Sequence, residues 1–112
     1  MRITIAKSYD HYNKITNGQI SLNLYSNDKQ IGFVTFRVSG QVCLIDVNEK
    51  YRRRGFATHM LKEVEQHLVK NKINKIFTIC SRDHYFWSVQ KNYFYDEQPH
   101  KSITSSGYSK II

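Results

Sequence analysis

Long hydrophobic segments are missing from this chain of 112 residues. No window approaches the run of about 18 apolar residues that a membrane-spanning helix needs, and the first residues, MRITIA, lack the apolar core of a signal peptide. The sequence therefore predicts a cytoplasmic protein with no membrane partner. Internal repeats and low-complexity stretches are also absent, so a single folded domain over residues 1–112 is expected.

Cysteine is scarce, and its two positions do not have the spacing of metal ligands. Cys43 and Cys80 each stand in an apolar segment. Buried, reduced thiols are the interpretation that fits this placement best. We therefore expect no metal site, and no redox or nucleophilic role for either cysteine.

Acidic residues are few, since nine Asp and Glu stand against 17 Lys and Arg, which gives a formal net charge of +8. A basic protein favours acidic partners such as coenzyme A, nucleic acid or an acidic protein face. The charge alone does not choose among them, because the lysines are scattered along the chain. A generally basic surface remains the alternative interpretation.

The first half of the chain has the alternation of apolar and polar side chains that is typical of strands. Segments of this kind are residues 2–6, 20–24 and 31–38, while residues 41–47 contain an apolar run that is typical of a mostly buried strand. Short turns join the last three, so we expect an antiparallel meander. Tyr9, Tyr12 and Ile15 have helical spacing, which predicts one short helix over residues 7–17.

In the second half, residues 75–80 are apolar on both faces, as in a central strand. A short helix over residues 84–91 and a strand from residue 93 follow, and residues 108–112 are expected to close the sheet as an edge strand. The connection from the meander through a helix to the central strand is long enough for a right-handed parallel crossover. The predicted fold class is therefore α/β, with a mixed central sheet.

The most informative stretch joins the last strand of the meander to a long amphipathic helix. Three arginines and a glycine, Arg52 to Gly55, lie between them, and the helix has apolar residues at Phe56, Ala57, Met60, Leu61, Val64 and Leu68. The first N–H groups of a helix lack intrahelical partners and carry partial positive charge, while glycine allows close approach of a ligand. This turn is therefore expected to hold a phosphate group, with the arginines adding charge.

The order of strand, spacer, turn and helix carries a family resemblance. Arg52-x-x-Gly55-x-Ala57, following Val47-Asn48-Glu49-Lys50-Tyr51, resembles motif A of the GNAT family of acetyl-CoA-dependent N-acetyltransferases. The resemblance implies a GNAT-type mixed central sheet, in which an antiparallel meander is followed by a parallel β-α-β crossover and a long helix after the pyrophosphate turn. At motif level it covers residues 42–69.

In this family the turn holds the pyrophosphate of coenzyme A, and the preceding strand holds its pantetheine arm in a gap between two strands that part at their C-terminal ends. The resemblance therefore implies acetyl-CoA as cosubstrate and places the gap between residues 45–47 and 79–81. The residues that it assigns to the cosubstrate are Ile45, Val47, Arg52, Arg53, Arg54, Gly55, Phe56, Ala57 and Thr58.

Many members of the family have a tyrosine, about four residues before a later Gly-Phe pair, that protonates the leaving thiolate. In this chain the strict spacing falls on Ser88 or Val89, so the expected tyrosine is absent. Tyr85, about one helical turn earlier, is the substitute that we predict as general acid. Aromatic packing is the alternative interpretation of Tyr85.

The family pattern does not supply a general base either. Gln41 stands where some members have a catalytic glutamate, and Asp46 is the only acid in this strand. His84 is chemically suited to proton transfer near neutral pH, and we predict it as the second catalytic candidate. A surface or capping role is the alternative for His84, as a structural carboxylate is for Asp46.

The resemblance implies transfer of an acetyl group from acetyl-CoA to an amine on a protein, a peptide or a small molecule. The short segment between the first two strands implies a more open acceptor cleft than the family usually has. Two other functions remain open. One is a non-catalytic module that binds coenzyme A, since the usual tyrosine and glutamate are missing, and the other is a nucleic-acid-associated protein, since the net charge is +8.

Overall fold

A computed structural model describes residues 3–9, 19–79, 84–103 and 105–112; for residues 3–9 and for residue 84 it describes the backbone only. Within these ranges the elements are β1 (Ile3–Tyr9), β2 (Ile20–Ser26), β3 (Lys29–Phe36), β4 (Val42–Val47), α1 (Phe56–Lys70), β5 (Lys75–Ile79), α2 (His84–Ser88), β6 (Phe94–Asp96) and β7 (Gly107–Ile111). None of the described helices has the length and apolar character needed to cross a membrane.

The first four strands form one antiparallel sheet in the order β1-β2-β3-β4. Strand β2 alternates buried and half-buried residues, with Ile20, Leu22 and Leu24 on the buried side. The predicted meander is therefore confirmed. Strand β1 includes residues 7–9, which the helical spacing assigns to a helix, and residues 10–17 of that predicted helix lie outside the described ranges.

A β-bulge in the pairing of β3 with β4 decides which residues of β4 face the core. Phe36 pairs with Val42 and the preceding residue of β3 pairs with Leu44, which leaves Cys43 as the additional residue. As a result two consecutive residues, Cys43 and Leu44, are exposed. The expectation of a buried thiol is therefore wrong for Cys43, and Cys80 lies outside the described ranges.

Helix α1 packs one apolar face against the first sheet. Its buried residues follow the helical spacing that the sequence predicts, and they are Met60, Leu61, Val64 and Leu68. Each side chain of this kind stabilises the fold by about 1.5–3 kcal/mol on burial. The helix ends at Asn71, whose N–H donates to the carbonyl oxygens of His67 (3.2 Å) and Leu68 (3.0 Å). The predicted amphipathic helix is confirmed.

The remaining strands form a second antiparallel sheet in the order β5-β7-β6. Strand β5 is buried on both faces, with Ile76, Phe77 and Thr78 buried, but it stands at the end of the strand order and not at its centre, where the sequence predicts it. Strand β7 lies between two neighbours, so the prediction of an edge strand at residues 108–112 is wrong, and β6 forms the edge instead. Strand order depends on pairing between distant segments, which a local hydrophobic pattern does not encode.

The two sheets meet at β4 and β5, but these strands do not pair as a ladder. One isolated parallel bridge joins Gln41 to Phe77, and Phe77 N–H donates to the carbonyl oxygen of Gly40 at 3.0 Å. The predicted parallel β-α-β crossover is therefore not present as a strand ladder. The fold is a mixed α/β arrangement of two antiparallel sheets.

Helix α2 ends earlier than expected. The pattern predicts a helix over residues 84–91, whereas α2 covers His84–Ser88. Asn92 adopts the left-handed conformation, with φ of 67°, that the sequence allows for it. The chain turns at this residue towards β6.

Tyr93 links α1 to the second sheet through a partly buried hydrogen-bond network. Its hydroxyl donates to Glu65 Oε2 at 2.7 Å, and Lys110 Nζ donates to Glu65 Oε1 at 2.8 Å. Burial, followed by the hydrogen bond to Glu65 and its negative charge, raises the pKa of Tyr93 well above its ordinary value of 10.0. The folded protein therefore keeps Tyr93 neutral at a pH where the unfolded chain ionises it.

We expect Tyr93→Phe to reduce the loss of stability at alkaline pH. Below about pH 10 the tyrosine is protonated in both the folded and the unfolded state, so this group adds no pH dependence to the stability. Above about pH 10 the unfolded state loses the proton first, which lowers the free energy of unfolding by up to about 1.4 kcal/mol per pH unit. Urea unfolding at about pH 8 and pH 11 measures this. At pH 8 the variant should be about 1 kcal/mol less stable than the wild type. Its free energy of unfolding should nevertheless fall less than that of the wild type between pH 8 and pH 11. An equal loss in both proteins would contradict the assignment.

Candidate functional site

The segment between β4 and α1 begins with a short 3-10 helix, Glu49–Tyr51, and ends at Gly55. Gly55 has φ 80° and ψ 8°, a left-handed conformation that costs other residues about 1–2 kcal/mol. No side chain caps the start of α1, and its first turn contains no acidic residue. The leading N–H groups of the helix therefore remain open to an anionic ligand.

Arg52 holds the end of β4 to the turn that follows. Its Nε donates to the carbonyl oxygen of Val47 at 2.8 Å, and its Nη2 lies 3.4 Å from Asp46 Oδ1. The side chains of this ion pair are 57% and 55% exposed, so the pair itself adds little stability. The hydrogen bond to Val47 positions the guanidinium beside the start of α1.

The other two arginines of the turn are exposed and differ in what they contact. Arg54 places its guanidinium carbon 5.5 Å from the centre of the Tyr51 ring, a cation–π arrangement. Arg53 has no hydrogen bond or ion pair within the described parts of the chain, and its φ is 64°. A left-handed conformation at a residue other than glycine is strained, and such strain is common where a turn binds a ligand.

A cavity of about 500 Å³ opens beside this turn. The end of β4, the turn, the first residues of α1 and the region around α2 form its walls. Its lining residues are Ile45, Asp46, Val47, Tyr51, Arg52, Arg53, Gly55, Phe56, Ala57, Thr58, Tyr85, Phe86, Val89 and Gln90. A volume in this range is typical of small-molecule sites.

The cavity brings together most of the residues that the sequence assigns to a cosubstrate. Arg54 is the exception, since it lies outside the lining. Sequence reasoning missed Phe86, Val89 and Gln90, although their spacing of three and four positions indicates a shared face. A hydrogen bond of 3.2 Å from Thr58 Oγ1 to Gln90 Oε1 fixes this face against α1.

One edge of β4 has almost no ladder partner. Along its other edge β4 pairs with β3 from Val42 to Val47. On the side of β5 the described contacts are the isolated bridge at Gln41 and a hydrogen bond of 3.3 Å from Thr78 Oγ1 to the carbonyl oxygen of Val42. The two strands are therefore unpaired beyond Val42 in the part of the chain that the structure describes. Residues 80 and 81, at the far side of the predicted gap, lie outside it.

The two predicted catalytic residues belong to the start of α2. Tyr85 lines the cavity, and 79% of its surface is exposed. His84 is the first residue of α2, but its side chain lies outside what the structure describes. Asp46 lines the cavity in contact with Arg52, whereas Gln41 lies at the opposite end of β4. The position of Tyr85 is compatible with proton transfer to a ligand in the cavity.

A family model described as an acetyltransferase (GNAT) domain matches residues 4–97 of the chain. The matched range extends from β1 to just after β6, and so includes the turn at Gly55, both helices and all the residues that line the cavity. Among curated proteins, none matches the chain.

Solved structures that match are numerous, with 107 chains. PaiA N-acetyltransferase from Thermoplasma acidophilum, in complex with coenzyme A, has a TM-score of 0.70 at 12% identity, over 90% of this chain and 66% of that one. A putative N-acetyltransferase from Lactobacillus plantarum has a TM-score of 0.70 at 12% identity, over 99% of both chains. A putative streptothricin acetyltransferase from Bacillus anthracis, in complex with acetyl coenzyme A, has a TM-score of 0.65 at 15% identity, over 84% of this chain and 62% of that one. The chain thus spans less than two thirds of the first and third of these structures, and the likeness shows a shared fold.

Proposed function

The chain belongs to the GNAT acetyltransferase family, and we propose on that premise that it transfers an acetyl group from acetyl-CoA to an amine acceptor. The observation that supports this most is the cavity at the uncapped start of α1, which adjoins the unpaired edge of β4. In this proposal the two features hold the two parts of one cosubstrate. The solved relatives PaiA and streptothricin acetyltransferase were crystallised with coenzyme A and acetyl coenzyme A, which is consistent with it.

The pyrophosphate would be held at the turn. The N–H groups at the start of α1, from Phe56 to Thr58, carry partial positive charge and have no capping side chain. Gly55 leaves the approach open, because a Cβ at this position would meet nothing within 4 Å. Arg53 adds a guanidinium without a partner in the described residues, while Arg52 is already held by Val47. Phosphate oxygens would therefore meet main-chain donors and charge together.

The pantetheine arm would extend along the unpaired edge of β4, at Ile45 to Val47, in the place of a neighbouring strand. A backbone N–H there would polarise the thioester carbonyl. The neutral amine attacks the carbonyl carbon, a C–N bond forms and the C–S bond breaks. The thiolate gains a proton and the new ammonium loses one, so the products are an amide and coenzyme A. Much of the rate enhancement would come from positioning.

We expect Tyr85→Phe to lower kcat about tenfold while the Kd for acetyl-CoA stays unchanged. The phenylalanine keeps the ring and removes only the hydroxyl that would protonate the thiolate. Because Tyr85 is 79% exposed, water can partly take over this proton transfer. The expected effect is therefore smaller than the loss of about 100-fold that follows removal of an acid sheltered from water. Tyr95→Phe is the matched control, since Tyr95 is also exposed and lies outside the cavity. An unchanged kcat in the Tyr85 variant would remove it as the general acid.

His84 remains a predicted proton-transfer residue. Unaltered turnover in His84→Ala across the pH range would remove it. The acceptor class also remains a proposal, in which the amine belongs to a protein, a peptide or a small molecule. The most direct test of the whole proposal is calorimetric titration with acetyl-CoA, followed by thiol release in the presence of a panel of amines.

A non-catalytic module that binds coenzyme A is the second candidate, and one sequence feature favours it. Gln41, near the position where some members of the family have a catalytic glutamate, cannot accept a proton from the amine. Binding of acetyl-CoA without thiol release from any amine would support this alternative. Salt-sensitive retention of RNA or DNA would instead support a nucleic-acid-associated role, as the net charge of +8 allows.

A further inference from the structure

A smaller cavity lies at the opposite end of β4 from the proposed acetyl-CoA site. Its volume is about 270 Å³, and it lies beside the turn between β3 and β4. Arg37, Ser39 and Gln41 line it from the turn and the start of β4, while Phe77, His100 and Ser102 line it from the second sheet and the loop after β6. No acidic residue is among the described residues that line it.

Arg37 places a polar atom in this region that nothing in the described structure satisfies. Its Nε is buried and has no hydrogen-bond partner, and it is the one side-chain nitrogen or oxygen in the described residues of which this is true. Buried donors of a charged group are rarely left unpaired, because they lose their hydration without compensation. An acceptor supplied by a ligand would remove this cost.

Main-chain hydrogen bonds hold the turn that carries Arg37 in place. Arg37 N–H donates to the carbonyl oxygen of Gln41 at 2.8 Å, and Gly40 N–H donates to that of Arg37 at 2.9 Å. The same turn is joined to β5, since Phe77 N–H donates to the carbonyl oxygen of Gly40 at 3.0 Å. The backbone of Arg37 is therefore positioned before any ligand arrives, which lowers the entropic cost of binding.

The facing wall offers a second donor. The His100 ring stacks on Phe77, with 5.2 Å between ring centres and 22° between planes. Ser102 N–H donates to His100 Nδ1 at 3.2 Å, and Ser102 Oγ lies 2.7 Å from the same nitrogen. Because Nδ1 accepts, the neutral ring carries its proton on Nε2. His100 and Arg37 therefore both line the same small cavity.

We propose that this cavity binds the carboxylate of a small molecule, and that a rotation of the Arg37 guanidinium, whose Nε is buried, brings Nε–H and one Nη–H to the two carboxylate oxygens. The planar guanidinium matches a planar carboxylate in a two-pronged arrangement. Among the described lining residues, Arg37 alone carries a fixed positive charge, and one such charge balances one carboxylate better than it balances a phosphate of about −1.5 to −2 charges. The site is separate from the proposed acetyl-CoA site, and it does not depend on the proposed acetyl transfer.

The Arg37 Nε–H resonance in the ¹⁵N-labelled full chain reports on this proposal directly. We expect acetate and succinate to shift it in a saturable way, and the neutral amides acetamide and succinamide to leave it unchanged at equal concentration. A resonance that does not respond to either acid would overturn the proposal. So would saturable binding of inorganic phosphate with no response to the acids.

Substitutions test the same contact through succinate affinity. Arg37→Met keeps most of the length of the side chain without its hydrogen-bond donors, and we expect it to weaken succinate affinity at least tenfold. Arg37→Lys keeps the positive charge without the planar pair of donors, and we expect an intermediate loss of affinity. His100→Phe keeps the ring on Phe77 and removes the Nε2 donor, so a several-fold loss is expected. Equal succinate affinity in wild type and Arg37→Met would overturn the proposal. Acetyl-CoA affinity, measured on every variant, should not change, which separates this test from that of the proposed function.

Discussion

Replacing Gly55 with glutamate is expected to weaken acetyl-CoA binding about 100-fold, which corresponds to about 2.7 kcal/mol. The new carboxylate would stand at the start of α1, where it would repel the pyrophosphate and compete for the leading N–H groups. Open space surrounds Gly55, since a Cβ there would have no heavy atom within 4 Å. The substitution therefore acts on the ligand rather than on packing. Calorimetric titration measures the effect.

Gly55→Gln is the matched control, because glutamine has the same shape and bears the same backbone cost at φ 80° without the charge. We expect it to weaken acetyl-CoA binding by less than about tenfold, so that the ratio between the two variants isolates the electrostatic part. The melting temperatures of the two variants in thermal unfolding should agree closely. Affinities within threefold of each other would show that the phosphates do not bind at this helix start.

Replacing Gly107 with alanine is expected to destabilise the fold by about 3 kcal/mol, because it forces apart two paired strands. Gly107 opens β7 and pairs with Ile79 of β5. A Cβ at this position would overlap the carbonyl oxygen of Thr78 and lie 2.7 Å from its carbonyl carbon and 3.0 Å from Ile79 Cα. All three are main-chain atoms, so no side-chain rotation relieves the contact.

Urea unfolding measures this loss, and Gly55→Ala supplies the comparison. Alanine at Gly55 meets no neighbour within 4 Å and bears only the left-handed backbone cost, about 1–2 kcal/mol. A Gly107 variant as stable as the Gly55 variant would mean that β5 and β7 are not packed as described.

The periodicity of apolar residues was sufficient to predict the helices and strands whose packing partners are close in sequence. The meander of β2, β3 and β4 follows from alternating side chains and short turns, and α1 follows from the spacing of Met60, Leu61, Val64 and Leu68. The exposure of Cys43 did not follow, because it depends on a bulge opposite Phe36 that shifts the register by one residue. The order β5-β7-β6 did not follow either, since it is set by pairing between segments far apart in the chain.

In the candidate site, too, features set by neighbouring residues could be predicted, whereas features set by distant contacts could not. The turn from Arg52 to Gly55 is local, so its glycine, its arginines and the helix start could be read from neighbouring residues. Gln90, which also lines the cavity, is held there by a hydrogen bond from Thr58, 32 positions away in the sequence. The contact of Arg54 with Tyr51 likewise depends on the 3-10 helix in the turn, which composition alone does not predict.

The isolated bridge between Gln41 and Phe77, with the hydrogen bond from Thr78 Oγ1 to the carbonyl oxygen of Val42, joins the two sheets at one end of β4. Six residues separate this point from the end of β4 at Val47, a length of about 20 Å at about 3.3 Å per residue. A rigid-body rotation of about 5° around it would move Val47 by about 2 Å relative to β5 and would break no hydrogen bond within either sheet's ladders. Beyond Val42 the width of the opening beside β4 is therefore set by the packing of α1 and of the two sheets rather than by strand pairing between them.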